Sequence, residues 1–233
     1  MSDNEIPVEE IDQRANLLWQ ARRTRNVLDP QDVPWSTLTA ASANQIGERL
    51  YQRGGRSRTW KLGAFDGETQ HRLGLSGPVC LPMLDRSTET DVRSTSLRLK
   101  DLVAPRFEVE IGIILAGDGI IGVPCVEIAD CRFADWRLPP FGMTVELGLQ
   151  GRMVFGLPGQ VDRDVQVTVS RDDKFLVSGS AGWHQAVSRL DLLANRSDAD
   201  HVATGSITEM LDCVPGRWRF DFGVMGDIVI TVK

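Results

Sequence analysis

The segment from Pro105 to Leu115 constrains the fold more than any other part of the sequence. Its apolar and acidic side chains alternate: Val109, Ile111, Ile113 and Leu115 share one parity, and Glu108 and Glu110 share the other. Because successive side chains of a β-strand point to opposite faces, the pattern predicts a strand with one buried face and two carboxylates on the other. Such carboxylates repel each other unless water or a cation lies between them. A solvated acidic strand face is the alternative interpretation.

A third acidic residue extends this pattern. Glu127 is flanked by the apolar residues Val126 and Ile128, which predicts a second strand. If Asp118 and Gly119 form a two-residue turn between the strands, Glu110 lies opposite Glu127. Like charges placed directly opposite are destabilising, and three convergent carboxylates are typical ligands of Mg²⁺, Mn²⁺ or Ca²⁺. A slip of one residue in the pairing would move Glu127 to the other face.

The rest of the chain divides into a helical and a β-rich part. Apolar spacing predicts helices from Pro7 to about Leu28 and from about Leu38 to Arg53, the second ended by Gly54 and Gly55. One further helix is predicted from about Gly182 to Ala194. Short β-type runs fill most of the remainder: Ser57–Leu62, Glu108–Leu115, Ile121–Ile128, Val165–Ser170, Phe175–Ser178, Val202–Ser206 and Gly226–Val232. We therefore expect an α+β fold with an N-terminal helical segment (residues 1–55) and a bent mixed sheet or barrel core (residues 56–233).

Composition excludes several classes of protein. The net charge of −6 argues against a nucleic-acid binder, and the basic group Arg22, Arg23 and Arg25 is interpreted as a solvated helix end. The longest apolar run, residues 111–116, is too short to cross a membrane. The four cysteines have no zinc-ligand spacing. No signal peptide is visible at the N-terminus, so we expect a soluble cytoplasmic protein.

Several segments resemble, in order, the 2-keto-4-pentenoate hydratase and 4-oxalocrotonate decarboxylase branch of the fumarylacetoacetate hydrolase superfamily. The segments that carry the resemblance are Trp60–Gly63, Gln70–Leu75, Leu102–Ile111, Val126–Trp136, Ala203–Ser206 and Gly226–Ile230. The resemblance implies a fumarylacetoacetate hydrolase type of fold. It also implies a lyase, a hydratase or decarboxylase, that acts on a small 2-oxo acid through a metal-stabilised enolate.

The resemblance also implies roles for individual residues. Glu108, Glu110 and Glu127 would hold Mg²⁺ or Mn²⁺, and Lys61 would act as the catalytic residue beside the enolate. Thr204 and Arg106 would bind the substrate. A surface lysine and an ordinary turn threonine are the alternative interpretations of Lys61 and Thr204. His184 falls near a family position where it is either structural or a base.

The sequence departs from the family pattern at two positions. Val79 and Leu149 stand where family hydratases carry an Asp and a Ser, and neither side chain can relay a proton. Decarboxylation tolerates this loss better than hydration does. A different enolate reaction (an isomerase, cyclase or other tailoring step) and a non-catalytic partner subunit are the alternatives. The resemblance also implies a homo-oligomer, with a partner enzyme of the same pathway as a further option, and Trp19, Trp35 and Trp183 are candidate contact residues or core residues.

Overall fold

The computed structural model describes residues 6–31, 33–117, 119–161, 164–194 and 198–233. In these ranges the chain forms five α-helices and thirteen β-strands. The helices are α1 (Val8–Thr24), α2 (Ala40–Gly54), α3 (Gly67–Leu73), α4 (Gly142–Val145) and α5 (Trp183–Ser188). The strands are β1 (Arg56–Gly63), β2 (Val79–Leu84), β3 (Thr88–Glu89), β4 (Ser94–Leu97), β5 (Pro105–Ala116), β6 (Gly119–Asp130), β7 (Gln150–Phe155), β8 (Asp164–Arg171), β9 (Lys174–Gly182), β10 (His201–Ser206), β11 (Leu211–Asp212), β12 (Gly216–Asp221) and β13 (Asp227–Val232).

The two N-terminal helices match the sequence prediction. Helix α2 begins with a capping box in which the Thr39 hydroxyl accepts a hydrogen bond from the Ser42 backbone N–H. It ends at Gly54, one residue beyond the predicted end at Arg53, and Gly55 follows it as the C-cap. Helix α1 ends at Thr24 rather than at about Leu28, because Arg25 turns into the left-handed conformation.

All seven predicted strands are present among the thirteen described, but the helix predicted after α2 is not the single further one. The structure adds α3 and α4, which are too short to show helical periodicity in the sequence. The helix predicted from Gly182 to Ala194 is α5 followed by a 3₁₀ turn, Arg189–Leu193.

In the described residues the strands form two mixed sheets. The larger sheet has eight strands in the order β2-β1-β10-β5-β6-β7-β3, with β11 also paired to β5. The smaller sheet has five strands in the order β4-β13-β12-β8-β9. Parallel pairs join β1 to β10, β3 to β7 and β4 to β13, and the other pairs are antiparallel. This α+β architecture is the predicted fold class.

The main core lies between the two sheets and includes the apolar face of β5. Phe107, Val109 and Ile111 are buried there, and the ring centroid of Phe107 lies 4.9 Å from that of Trp218 and 5.0 Å from that of Phe220. Because side chains alternate along a strand, this packing turns the glutamates of β5 to the opposite face of the larger sheet.

Helices α1 and α2 form a second core that includes Ala129 of β6. Trp35 is buried in this core, and its ring meets that of Phe133 edge to face. No described helix is both long and apolar enough to cross a membrane. The division at residue 55 and the homo-oligomer stay predictions.

Candidate metal centre

Two glutamates of the site meet across the β5–β6 hairpin. Glu108 pairs directly with Glu127, and Glu110 pairs with Cys125. The predicted pairing of Glu110 with Glu127 is therefore wrong by two residues, because Gly119 already pairs with Ala116 and the turn lies one residue earlier than predicted. Position 118 of that turn lies outside the described residues. Since the displacement is an even number, all three glutamates still share one face.

The three carboxylates form a tight cluster. One carboxylate oxygen each from Glu108, Glu110 and Glu127 lie within 4.8 Å of one another. Glu110 and Glu127 are fully buried, whereas Glu108 is half-buried. The Oε2 atom of Glu127 is buried and has no hydrogen-bond partner among the described residues. A buried carboxylate oxygen without a partner, in a cluster of three acids, is suited to bind a cation.

The pKa values of Glu110 and Glu127 are raised above those of ordinary glutamates. Burial raises the pKa of Glu127 to about 7; the Lys61 ammonium lowers it in part, and Glu108 raises it further. Burial also raises the pKa of Glu110 well above its usual value, with Glu127 and Glu108 acting in the same direction. A bound cation would offset the burial and the mutual repulsion and lower both pKa values, so metal binding should release protons.

Lys61 of β1 lies against this cluster. Its ammonium donates a hydrogen bond to Glu127 Oε1 and another to the Gly148 carbonyl, with a nitrogen–oxygen distance of 2.7 Å for the second. Burial lowers the pKa of Lys61, but the carboxylates of Glu127, Glu108 and Glu110 outweigh this effect and the net shift is upward. Lys61 is therefore a buried, charged residue and not the surface lysine of the alternative interpretation.

Strand β10 supplies two further contacts beside the cluster. The Gly205 backbone N–H donates to Glu110 Oε2 over 2.7 Å. Gly205 has a φ of 96°, and a Cβ there would lie 2.7 Å from the Phe65 ring, so only glycine fits. Next to it, Thr204 is buried and its hydroxyl donates to the Ile111 carbonyl over 2.8 Å.

A cavity of about 840 Å³ opens beside the cluster. Its charged lining residues are Lys61, Asp66, Arg72, Arg106, Glu108, Glu110, Arg137 and Arg189. Among these the cations outnumber the acids, although the chain as a whole is acidic. The cavity therefore has the acidic cluster on one part of its wall and basic side chains on the rest. This arrangement suits an anionic ligand that also contacts a cation held by the acids.

The other residues that the sequence analysis singles out differ in whether they line this cavity. Arg106 lines the cavity, pairs with Asp212 over 2.9 Å and stacks over the Trp136 ring. Val79 and Leu149 line the same cavity, as apolar wall. Thr204 is not among the lining residues. The substrate-binding roles of Arg106 and Thr204 stay predictions.

His184 lies away from the cavity, whereas Arg189 and Gly148 lie at its wall. His184 is exposed on α5 and does not line the cavity. Sequence analysis missed Arg189, which donates to the Thr204 carbonyl and stacks on Phe65, because no motif marks it. It also missed Gly148, whose carbonyl contacts Lys61, since a backbone acceptor leaves no side-chain signal.

Comparison with solved structures identifies the fold. The chain is similar to 4-oxalocrotonate decarboxylase from Pseudomonas putida G7, complexed with magnesium and adipate, at a TM-score of 0.82 and 18% sequence identity over 98% of this chain and 99% of that chain. It is less similar to fumarylpyruvate hydrolase from Pseudomonas aeruginosa in complex with Mn²⁺ and pyruvate, at a TM-score of 0.55 and 12% identity over 75% and 88% of the two chains. Models of known protein families and curated proteins give no match.

These similarities confirm the fold that the sequence resemblance implies. The chain has the fumarylacetoacetate hydrolase type of fold, and it spans nearly the whole length of the decarboxylase structure. At this level of identity the likeness concerns the fold alone.

Proposed function

We propose that this chain is a divalent-metal-dependent lyase, of the decarboxylase or hydratase type, that acts on a small 2-oxo acid. One observation carries the proposal: three carboxylates converge beside the buried ammonium of Lys61, at a cavity with a basic lining. Burial and the neighbouring carboxylates raise the pKa of Glu110, and the Glu127 Oε2 atom has no hydrogen-bond partner among the described residues, so a cation would stabilise both groups.

Glu108, Glu110 and Glu127 would hold the metal. An all-carboxylate donor set suits Mg²⁺ or Mn²⁺ rather than zinc, which binds sulfur and nitrogen ligands in most sites. When bound, the cation supplies positive charge that stabilises negative charge developing on the oxygen atoms of a 2-oxo acid. The two structural neighbours named above are complexed with magnesium and with Mn²⁺, which supports a divalent metal.

The residues of the chain then bind the substrate and control its protons. Lys61 places a fixed positive charge beside the carboxylate cluster, where it would stabilise the enolate form of the substrate. Arg106 and Arg189 line the cavity and would bind carboxylate groups. Thr204 would hydrogen-bond the substrate carboxylate if its hydroxyl turned away from the Ile111 carbonyl.

The apolar wall favours decarboxylation over hydration. Val79 and Leu149 line the cavity and carry no group that activates water. In a decarboxylation the bond to the leaving carboxylate breaks, its electron pair passes to the enolate and carbon dioxide departs. This step needs stabilisation of the enolate more than it needs a proton relay at the wall.

Metal binding is the direct test of the proposal. We expect isothermal titration with Mn²⁺ or Mg²⁺ to give a saturable heat with the wild-type chain. The Glu108→Gln variant should bind at least about 100-fold more weakly, because one of three anionic ligands is lost. Glu68→Gln, which neutralises an exposed acid of α3, is the matched control and should bind like the wild type. Equal binding by wild type and Glu108→Gln would contradict the proposed site.

Product analysis separates the two lyase reactions. With 4-oxalocrotonate as the probe and Mg²⁺ present, we expect release of carbon dioxide by the purified chain. Addition of a hydroxyl group to the probe without carbon dioxide release would instead identify a hydratase. Metal binding without turnover of this probe would favour another enolate substrate or a non-catalytic partner subunit.

The raised pKa values of Glu110 and Glu127 predict that stability falls as the pH rises. The pKa of Glu127 is raised to about 7 in the folded protein, so its contribution is present at low pH and is lost as the pH rises through about 7. Glu110 acts in the same direction. With EDTA present, we expect the midpoint temperature of thermal unfolding to decrease as the pH is raised from about 5 to about 8. Added Mn²⁺ should raise this temperature more at pH 8 than at pH 5. Glu127→Gln should reduce both effects, and a midpoint that rises with pH in EDTA would contradict the prediction.

A further inference from the structure

Three consecutive residues beside the cluster have a left-handed backbone. Leu147, Gly148 and Leu149 have φ angles of 54°, 72° and 62°. Glycine adopts this conformation readily, but in a leucine the Cβ atom approaches the following carbonyl oxygen, so a leucine seldom does. A turn with two left-handed leucines persists only where the surrounding structure holds it in place.

Buried polar contacts hold both ends of this turn. Before it, Glu146 accepts a hydrogen bond from Arg132 Nε, and both side chains are fully buried. After it, the Gln150 side chain donates to the Pro82 carbonyl and accepts from the Leu84 N–H, each over 2.7 Å.

Hydrogen bonds at its two ends connect the turn to strands β6 and β2. Arg132 also pairs with Asp130 over 3.1 Å, and the Asp130 N–H donates to the Leu149 carbonyl over 2.7 Å. The turn is therefore tied to the end of β6 and, through Gln150, to β2. Its conformation is determined by side chains that do not line the cavity themselves.

Besides the apolar side chain of Leu149, the turn presents a polar group to the site, the Gly148 carbonyl. This oxygen accepts from Lys61 Nζ over 2.7 Å. A Cβ atom at position 148 would lie 3.2 Å from Lys61 Cε and 3.3 Å from Leu81 Cδ1, so a side chain there would press on the Lys61 stem. Glycine thus allows the backbone to approach the lysine closely enough for this hydrogen bond.

We propose that the left-handed turn Leu147–Leu149 is a positioning device for Lys61, with Arg132, Glu146 and Gln150 as positioning residues. A lysine ammonium has three N–H donors. Glu127 and the Gly148 carbonyl take two of them, which leaves the third for the cavity that Lys61 lines. The carbonyl is neutral, so it orients the ammonium without adding another negative charge to the cluster.

The catalytic purpose of this turn rests on the proposed function, but its effect on the orientation of Lys61 is measured on the Lys61 ammonium itself. The chain has four lysines, of which Lys100, Lys174 and Lys233 are exposed. In a protein labelled with ¹⁵N-lysine, ammonium protons of exposed lysines exchange with water too fast to be seen near neutral pH. A buried, hydrogen-bonded ammonium gives a visible signal. We expect one such signal in the wild type, assigned to Lys61 by its absence in Lys61→Met.

Two variants test the turn. Glu146→Gln keeps the size of the side chain and removes its charge, and Gly148→Ala keeps the ion pair and crowds Lys61 directly. In both we expect the Lys61 signal to broaden or disappear while circular dichroism and Mn²⁺ affinity stay close to those of the wild type. Because the Lys61 ammonium is less well oriented in both variants, the rate of carbon dioxide release should also fall about 10- to 100-fold.

The control is Glu89→Gln, which removes a carboxylate from the half-buried pair with Arg152 on β7. It should keep the signal. An unchanged Lys61 signal in the two folded turn variants would overturn the inference. Failure of both variants to fold would also overturn it, because the turn would then act in folding rather than in positioning. Loss of the signal with no turnover by any form would retain the inference and contradict the proposed function instead.

Discussion

Replacement of Lys61 by Met should lower the rate of carbon dioxide release from 4-oxalocrotonate about 100- to 1000-fold, the usual effect of removing one preorganised group that stabilises developing negative charge. Lys61 is buried against Glu127, so water cannot substitute for its ammonium. Methionine fills a similar volume without the charge, and the loss should therefore fall on kcat more than on KM.

The same variant should bind Mn²⁺ at least as tightly as the wild type. Lys61 and the metal are both cations that interact with the same carboxylates, so removal of one favours the other. In the absence of metal, Glu127 loses its only ion-pair partner among the described residues, so we expect a loss of up to about 3–5 kcal/mol in the free energy of unfolding above about pH 7, where the carboxyl is charged, and a smaller loss at pH 5.

Lys100→Met, in an exposed 3₁₀ turn, is the matched control for charge. It should match the wild type in rate, metal affinity and stability. Wild-type turnover by Lys61→Met would remove Lys61 from the catalytic assignment. Loss of Mn²⁺ binding together with turnover would show that Lys61 organises the cluster rather than the substrate.

Replacement of Phe107 by Ala should cost about 3–5 kcal/mol in the free energy of unfolding, the usual range for a buried phenylalanine. Phe107 is fully buried between the sheets, with its ring against those of Trp218 and Phe220. It also immediately precedes Glu108 on β5, so the cavity left by its ring lies directly behind the carboxylate cluster.

Phe175→Ala is the matched control, because Phe175 is 64% exposed on the edge strand β9. Its effect should stay within about 0.5 kcal/mol. Urea unfolding monitored by tryptophan fluorescence measures both values, with similar slopes for the three proteins. A Phe107→Ala variant as stable as Phe175→Ala would contradict the packing of the two sheets described above.

Local sequence patterns predict much of the fold and part of the site. The alternation along β5 places Glu108 and Glu110 opposite the apolar face, and the structure shows both on that face with Glu127. The periodicity of α1 and α2 and the glycines after α2 predict the helices. These features are readable because each depends on residues close together in the chain, which repeat with the period of a helix or a strand.

The arginine cluster of α1 shows where local patterns stop. The sequence predicts a solvated helix end, and Arg23 and Arg25 are exposed as expected. Arg22, however, donates to the Gln150 carbonyl over 2.8 Å. Burial lowers the pKa of Arg22 to about 9. Its environment depends on a hydrogen-bond partner 128 positions away in the chain. The periodicity of a single helix carries no information about so distant a residue.

By itself, then, the sequence determined seven of the thirteen described strands, the two N-terminal helices, the shared face of the three glutamates and the position of Lys61 on a strand. The tertiary structure alone decided the register of the hairpin, the contact between Lys61 and Glu127 and the left-handed turn that presents the Gly148 carbonyl. The physical reason is separation along the chain: Lys61 lies 66 positions from Glu127 and 87 from Gly148. Contacts of this kind form only when packing brings distant strands together, and their partners include backbone atoms that every residue carries.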